Sequence, residues 1–225
     1  MKKVDVVLGM QWGDEGKGKI VDVLTPRYEA VARFQGGPNA GHSLYFGDKS
    51  FVLHTVPSGI FRDGTTNIIG NGVVIDPIIL MEEIHAIEAM GVDVKTRLQI
   101  GKRANLILPT HRMLDAASEK KKGDKKVGTT GKGIGPTYTD KIARNGLRVG
   151  DILAADFSER YAKLQNRHIT LLKQMGYECD PHAEDAAFME AVEFLKQFEL
   201  VDCEYYINNV LKTQEVLAEG AQGSM

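Results

Sequence analysis

A glycine-rich segment near the N-terminus combines residue types that bind phosphate. It follows the short apolar run Val4–Leu8, and from Gly13 to Lys19 it has the spacing Gly-x-x-x-x-Gly-Lys. Between a strand and a helix, such a loop turns backbone N–H groups and a helix N-terminus toward an anion, and the lysine adds positive charge. Ile20 stands where a hydroxyl usually reaches Mg²⁺, so Asp14 is the candidate Mg²⁺ ligand. The alternative is a turn whose charged side chains are solvated.

A second glycine loop, residues 35–43, follows the apolar run Val31–Phe34 and has the sequence Gln-Gly-Gly-Pro-Asn-Ala-Gly-His-Ser. His42 in this loop is a candidate proton donor or charge-assisted hydrogen-bond donor. A single histidine is more often structural than catalytic. In open α/β sheets, however, ligands bind at the carboxyl ends of strands, and that position favours a functional His42.

A third loop, residues 128–136, has the sequence Gly-Thr-Thr-Gly-Lys-Gly-Ile-Gly-Pro. Two hydroxyls, a lysine and four glycines suit a second phosphate, and Arg144 could bind a phosphate in a bidentate manner unless it forms a surface ion pair. Two phosphate loops predict two phosphorylated ligands. With Asp14 and His42 beside the first loop, the sequence predicts phosphoryl transfer, or nucleotide-driven activation of a second phosphorylated substrate.

Hydrophobic periodicity predicts the elements that must position these loops. Asp76 is a predicted N-cap, and Asp156 with Glu159 matches a capping box. The predicted strands are 4–8, 31–34, 67–69, 73–75, 98–100, 105–108 and 215–220, with a hairpin of 45–46 and 51–54 joined through Gly47, Asp48 and Lys49. The predicted helices begin at 19, 77, 110, 156, 184 and 203.

These elements predict an α/β fold with a P-loop-type core. We expect a mostly parallel central sheet flanked by helices, and a helical excursion after residue 150. The whole chain, 1–225, is predicted to be one α/β domain with a helical subregion at about 151–213.

Composition excludes several classes of protein. The chain has 225 residues, 43% of them hydrophobic and 26% charged, which excludes a disordered tail or a fibrous protein. A net charge of −2 argues against a protein that wraps nucleic acid. Two cysteines form no CxxC pair, and no apolar run approaches the ~18 residues of a membrane span, so a cytoplasmic protein is expected.

The motifs together resemble the adenylosuccinate synthetase family, GTP-dependent ligases that join IMP to L-aspartate. The resemblance rests on QWGDEGKGKIVD, GGPNAGH, PSGI…IIGNGVVIDP, GTTGKGIGP with DKIARNGLRVGD, and EGAQG, in that order along the chain. It spans essentially the whole chain. Family members continue well beyond Met225, so the resemblance implies the N-terminal half of a longer ligase, which could be inactive alone.

The resemblance implies a role for each matching residue. Asp14 would take the proton from N1 of IMP and ligate Mg²⁺ together with Gly41, and His42 would hydrogen-bond the transferring phosphoryl group. The residues implied to bind GTP phosphates are Gly13, Glu15, Gly16, Lys17, Gly18, Lys19, Gly41 and Ser43. The residues implied to bind IMP are Asp14, Asn39, Ala40, His42, Thr130, Arg144 and Gln222.

The resemblance also implies a homodimer, because Arg144 matches an arginine that reaches the IMP site of the other subunit. The implied reaction passes through 6-phosphoryl-IMP and needs Mg²⁺, with no nucleic acid or membrane partner. Lys132 and Asn145 stand where the family often has arginines, and no Asn/Thr-Lys-x-Asp guanine motif occurs. Two alternatives stay open: a P-loop GTPase-like switch, and a non-catalytic nucleotide- or phosphate-binding fragment.

Overall fold

A computed structural model describes residues 2–13, 15–46, 49–123 and 128–224 of the chain. The strands are β1 Val4–Val7, β2 Ala30–Arg33, β3 His42–Phe46, β4 Lys49–Leu53, β5 Thr66–Ile69, β6 Val74–Ile75, β7 Leu98–Gly101, β8 Asn105–Leu106, β9 Glu199–Val201 and β10 Val216–Glu219. The helices are α1 Lys17–Leu24, α2 Pro77–Glu88, α3 Val94–Arg97, α4 Pro109–Lys122, α5 Ile134–Ala143, α6 Phe157–Gln174, α7 Asp185–Leu195 and α8 Cys203–Val210.

The central sheet has six strands in the order β1-β10-β2-β5-β7-β9, and every pairing in it is parallel. This confirms the predicted α/β fold with a mostly parallel sheet flanked by helices. The last strand, β10, lies between the first two, with Glu219 opposite Arg33 in the register. The loops that follow β1, β2 and β10 therefore meet at one edge, because the carboxyl ends of parallel strands point the same way.

Two small sheets flank the central one. Strands β3 and β4 form the predicted antiparallel hairpin, and β6 pairs with β8 in parallel. The predicted turn residues Gly47 and Asp48 of the hairpin lie outside the described residues.

An apolar run such as Val4–Leu8 is typical of a buried parallel strand, but this prediction is wrong here. Among the residues that the structure describes, strand β1 lies at the edge of the sheet with β10 as its one partner, and Val6 is 53% exposed. An apolar run predicts a strand but cannot say whether both of its faces are covered, since coverage depends on neighbours distant in the chain.

Helix α2 follows its sequence signals closely. The Asp76 side chain accepts hydrogen bonds from the backbone N–H groups of Ile78 and Ile79, which confirms the predicted N-cap. Leu80, Ile84 and Ile87 of the predicted apolar stripe are fully buried. Each such side chain stabilises the fold by about 1.5–3 kcal/mol relative to an exposed one.

Other helix predictions needed correction. Asp156 makes no side-chain cap at the start of α6, so the predicted capping box is wrong. The helix predicted from residue 184 ends at Leu195, and strand β9 follows it and joins the edge of the central sheet. Helix α5 was not predicted; it begins at Ile134, inside the third glycine loop. No helix among the described residues is long and apolar enough to cross a membrane.

Candidate active site

The first glycine loop enters helix α1 through a residue that needs positive φ. Gly16 precedes the helix with φ +83°, a conformation that favours glycine. Two residues later, a Cβ on Gly18 would lie 2.5 Å from the Cβ of His42. The absence of a side chain at Gly18 thus lets α1 approach the start of β3 and brings the first two glycine loops together.

A cavity of about 290 Å³ lies between these loops; we call it the phosphate cavity. Every residue that lines it belongs to the set predicted to bind phosphate or to act in catalysis. The lining residues are Gly13, Gly16, Lys17, Gly18, Lys19, Gly41, His42 and Ser43.

The predicted residue Glu15 braces the first loop from within. Its Oε1 accepts the backbone N–H of Gln11 at 2.7 Å, and its Oε2 lies 3.2 Å from the Lys17 ammonium, which also donates to the Gly13 carbonyl at 2.8 Å. Hydrogen bonds from backbone N–H groups, its own first, and from Lys17 lower the pKa of Glu15 to about 2. Glu15 is therefore ionised at neutral pH and holds the loop in shape.

A second cavity of about 180 Å³ adjoins the first; we call it the nucleoside cavity. It is lined by Trp12, Gly13, Asn39, Ala40, Gly41, His42, Ala221 and Gln222. The Oδ1 atom of Asn39 is buried and has no hydrogen-bond partner among the described residues. Buried polar atoms are nearly always paired, so Asn39 has an unused hydrogen-bonding group beside the cavity that it lines.

The two cavities share Gly13, Gly41 and His42. The imidazole of His42 is buried, and its Nδ1 lies 2.5 Å from Oε1 of Glu219, which is itself fully buried at the end of β10. An ionised carboxylate only accepts, so Nδ1 carries the proton and Nε2 is the nitrogen left for a ligand.

Glu219 has further partners that keep it ionised. The backbone N–H of Ser58 donates to Oε2 at 2.9 Å, and the Ser58 hydroxyl donates to Oε1 at 2.6 Å. Burial alone would raise the pKa of Glu219, but the hydrogen bond and charge of His42 and the charge of Arg33 lower it overall. The carboxylate can therefore fix the ring of His42 and stabilise an imidazolium.

A buried arginine braces the second glycine loop. Arg33, at the end of β2, is fully buried and donates to the Gly37 carbonyl at 2.9 Å and to the His54 carbonyl at 2.5 Å. Burial lowers the pKa of Arg33, and the charges of Glu219 and Glu83 oppose that shift. The hydrogen bond from Arg33 to Gly37 therefore holds the loop that carries Asn39. The charge of Arg33 also helps to keep Glu219, the carboxylate bonded to His42, ionised.

Other predicted residues lie apart from these cavities. Thr130 is exposed in the loop before α5, and Arg144 lines a separate basic cavity of about 710 Å³ together with Lys141 and Arg148. Arg144 has no carboxylate partner among the described residues, and its backbone has φ +61°. Asp14, the predicted base and metal ligand, lies outside the described residues.

The sequence analysis missed Glu219, Ser58 and Arg33. Glu219 carried one usable signal, a carboxylate at the end of a strand and directly before a glycine. The roles of Ser58 and Arg33 had no local signal, because both depend on partners that are distant in the chain.

Comparisons with known proteins identify the family of the chain. The adenylosuccinate synthetase family model matches residues 6–225. The adenylosuccinate synthetases of Phocaeicola vulgatus and Porphyromonas gingivalis are 62% and 58% identical to the chain over 99% and 100% of its length. The chain spans about half the length of these curated relatives, 53% of each.

Two solved structures are similar to this chain. The fully ligated adenylosuccinate synthetase from Plasmodium falciparum superimposes with a TM-score of 0.88 at 37% identity, covering 98% of this chain and 51% of the other. The cyanophage S-2L succinoaminodeoxyadenylate synthetase shares the fold at a TM-score of 0.66 and 23% identity. Because the family model and relatives above 50% identity cover nearly all of its residues, the chain belongs to the adenylosuccinate synthetase family.

Proposed function

We propose that the protein to which this chain belongs is a GTP-dependent ligase that joins IMP and L-aspartate into adenylosuccinate, GDP and phosphate. The observation that supports this most directly is the junction of the phosphate cavity and the nucleoside cavity at His42. One cavity is lined by residues suited to a nucleotide's phosphates. The other is lined by Asn39, Ala40 and Gln222, which the resemblance implies for IMP.

The γ-phosphoryl group of GTP would occupy the phosphate cavity and IMP the nucleoside cavity. Asp14 takes the proton from N1 of IMP, so that O6 becomes the nucleophile that accepts the phosphoryl group and GDP leaves. The aspartate amine then attacks C6, and phosphate leaves with O6. Positioning and charge stabilisation account for most of the rate of such a transfer.

His42 is proposed to act on the transferring phosphoryl group. Glu219 holds the proton on Nδ1, so a protonated ring presents Nε2–H to the phosphoryl oxygens where the two cavities meet. Lys17 is engaged within the loop, and Lys19 lines the cavity as the motif's lysine. Gly16 and Gly18 lie at the N-terminus of α1, where backbone N–H groups favour an anion.

Mg²⁺ fits the donors of this site, because carboxylate, carbonyl and phosphate oxygens are its preferred ligands. Gly41 lines both cavities, and Asp14 follows Gly13, which also lines both. We propose that Asp14 and Gly41 hold Mg²⁺ with the phosphates, where it neutralises negative charge.

Asn39, Ala40, Gln222 and Thr130 are proposed to bind IMP. Arg144 is proposed to reach the IMP phosphate of a partner subunit, which implies a homodimer. The exposure of Arg144 away from both cavities and its lack of a carboxylate partner among the described residues support a role in trans. The unpaired cysteines, Cys179 and Cys203, support a reducing, cytoplasmic location.

Two alternatives are weaker. A P-loop GTPase-like switch would need a hydroxyl in place of Ile20 and a guanine motif, and the sequence has neither. A non-catalytic binding fragment would bind ligands without turning them over.

Calorimetry with IMP, and with inosine as the matched control, tests ligand choice. A positional isotope exchange experiment on a family-length chain tests the chemistry. Bridge-labelled GTP should scramble its β,γ-bridging oxygen when IMP is present and aspartate is absent, because phosphoryl transfer to O6 precedes amine attack. IMP binding without exchange would favour the binding fragment, and release of phosphate from GTP in the absence of IMP would favour a GTPase-like protein.

A further inference from the structure

Three buried side chains from three helices form a cluster outside both cavities. Oδ2 of Asp140 in α5 lies 3.0 Å from Nε2 of His111 in α4 and 2.8 Å from Nε2 of His168 in α6. None of the three residues is more than 6% exposed. We call this set the His–Asp–His cluster.

Two histidines and an aspartate could form a metal site, but the hydrogen bonds argue for a different role. The backbone N–H of Leu108 donates to Nδ1 of His111 at 2.9 Å. A backbone N–H can only donate, so Nδ1 is unprotonated and neutral His111 carries its proton on Nε2. That proton points at Asp140, whereas a metal would require a free lone pair on Nε2.

The second histidine is also fully engaged. Nδ1 of His168 lies 2.7 Å from the hydroxyl of Thr110, and its Nε2 bonds to Asp140. The carboxylate of Asp140 therefore joins α5 to both α4 and α6 through hydrogen bonds in a buried, low-dielectric setting, where such networks hold their members rigidly.

The backbone of Asp140 also takes part in the turn that ends α5. Its backbone carbonyl accepts the N–H groups of Asn145 and Gly146 at 2.9 and 3.2 Å. Arg144, the residue before Asn145, has the left-handed backbone conformation in this turn. The side chain of Asp140 thus holds helix α5 against α4 and α6. The backbone carbonyl of the same residue closes the turn that contains Arg144.

The start of α5 is held by the same neighbour. Oδ2 of Asp115 in α4 accepts the backbone N–H of Gly133 at 3.0 Å, just before α5 begins. Helix α4 therefore contacts both ends of α5: Asp115 bonds to its N-terminal end, and His111 of the His–Asp–His cluster bonds to its last turn.

Helix α5 in turn contacts the second glycine loop. The hydroxyl of Tyr138 accepts the backbone N–H of Gly36 at 3.2 Å and donates to the Gly72 carbonyl at 2.8 Å. The loop continues from Gly36 to Asn39 and Ala40, which line the nucleoside cavity. A continuous set of contacts thus leads from the His–Asp–His cluster to the site.

We propose that the His–Asp–His cluster is a positioning device for the nucleoside ligand: it sets the place of α5, and through α5 both the Gly36 loop and Arg144. The proposal rests on the proposed function for its kinetic consequences. His111, Asp140 and His168 are positioning residues that touch no substrate.

A pair of substitutions at one position separates positioning from simple packing. His111→Asn keeps an acceptor for the Leu108 N–H and loses the bond to Asp140, whereas His111→Gln can still donate to Asp140. His182→Gln is the matched control, because it removes an exposed His–Asp pair, 2.8 Å to Asp185, on a surface away from the site. Each variant is made in a family-length chain.

Hydrogen exchange gives a readout independent of activity. We expect His111→Asn to raise exchange of the Asn145 and Gly146 amides at least tenfold, and His111→Gln and the control to stay within twofold of wild type. In kinetics, His111→Asn should raise the KM for IMP at least fivefold and leave the KM for GTP within twofold.

A folded His111→Asn variant with unchanged exchange and unchanged KM for IMP would overturn the proposal, as would tight stoichiometric Zn²⁺ binding by the wild type that is lost in this variant. If His111→Asn does not fold, Thr110→Val takes its place in the exchange and kinetic measurements, with the same expected outcomes. This change removes only the hydroxyl bonded to His168. A wild type that neither binds nor turns over IMP would refute the proposed function. The exchange result would still test whether the cluster holds α5.

Discussion

Oε1 of Glu219 lies 2.5 Å from Nδ1 of His42, although 177 positions separate the two residues in the chain. The pair is buried where the phosphate cavity meets the nucleoside cavity. It places a negative charge behind the imidazole and leaves the opposite nitrogen for a ligand, an arrangement that stabilises a ring which gains or holds a proton.

Replacing that charge should reduce turnover more than binding. We expect Glu219→Gln to lower kcat about 10- to 100-fold with the KM for IMP within threefold, which is the loss seen when a carboxylate that orients a metal-bound histidine is removed; Glu219 orients His42 in the same way. Steady-state kinetics on a family-length chain measures it. Glu215→Gln, at the half-buried position just before the same strand, is the control and should match wild type. A kcat within twofold of wild type would remove Glu219 from this role.

Asp14→Asn should nearly abolish turnover. The change preserves shape but removes both the proposed base and the proposed Mg²⁺ ligand. Initial rates at saturating GTP, IMP and aspartate are the measurement, with the stability of the variant checked by thermal unfolding. Turnover within threefold of wild type would exclude both roles.

Arg144→Leu should raise the KM for IMP far more than the KM for GTP, because it removes a proposed phosphate contact. If that contact is made across a dimer, the specific activity of the wild type should also fall on dilution through the dimer dissociation constant. Equal effects on both KM values would make Arg144 merely structural, and activity independent of dilution would contradict a role in trans.

Gly18→Ala should disrupt the site through sterics alone. The added Cβ would lie 2.5 Å from the Cβ of His42, so α1 or β3 must shift, at a cost of about 1–3 kcal/mol in the free energy of unfolding. Gly135→Ala is the matched control, since a Cβ there meets nothing within 4 Å. Chemical denaturation compares the two. Equal stability of both variants would show that the close approach is easily relieved.

Acid should weaken the His–Asp–His cluster. Burial lowers the pKa of His111 from 6.5 to about 4, so between these values the unfolded chain binds the proton and the folded chain does not. The contribution of His111 is therefore complete above pH 6.5 and is lost as pH falls toward 4. We expect the free energy of unfolding to fall less steeply over this range in His111→Gln than in wild type. Parallel profiles would contradict a neutral, buried His111.

Local sequence signals were sufficient for several parts of the molecule. The spacing from Gly13 to Lys19 predicted the phosphate cavity, and Asp76 with its apolar stripe predicted α2, because loop chemistry and helix periodicity depend on neighbours close in sequence. The resemblance to the family was confirmed by the family model, which matches residues 6–225. The roles predicted for the site residues, including Asp14, His42 and Arg144, stay predictions.

Tertiary structure alone decided the rest. The insertion of β10 between β1 and β2 brings Glu219 to His42 and Gln222 to Asn39, and no local pattern specifies which strands become neighbours. The exposure of β1 and the His–Asp–His cluster likewise depend on contacts distant in sequence. The sequence indicated which residues could bind phosphate and where most of the helices and strands lie, but it did not indicate α5 or β9. Burial and strand order determined which carboxylate stands behind the histidine, because both arise only when distant segments pack together.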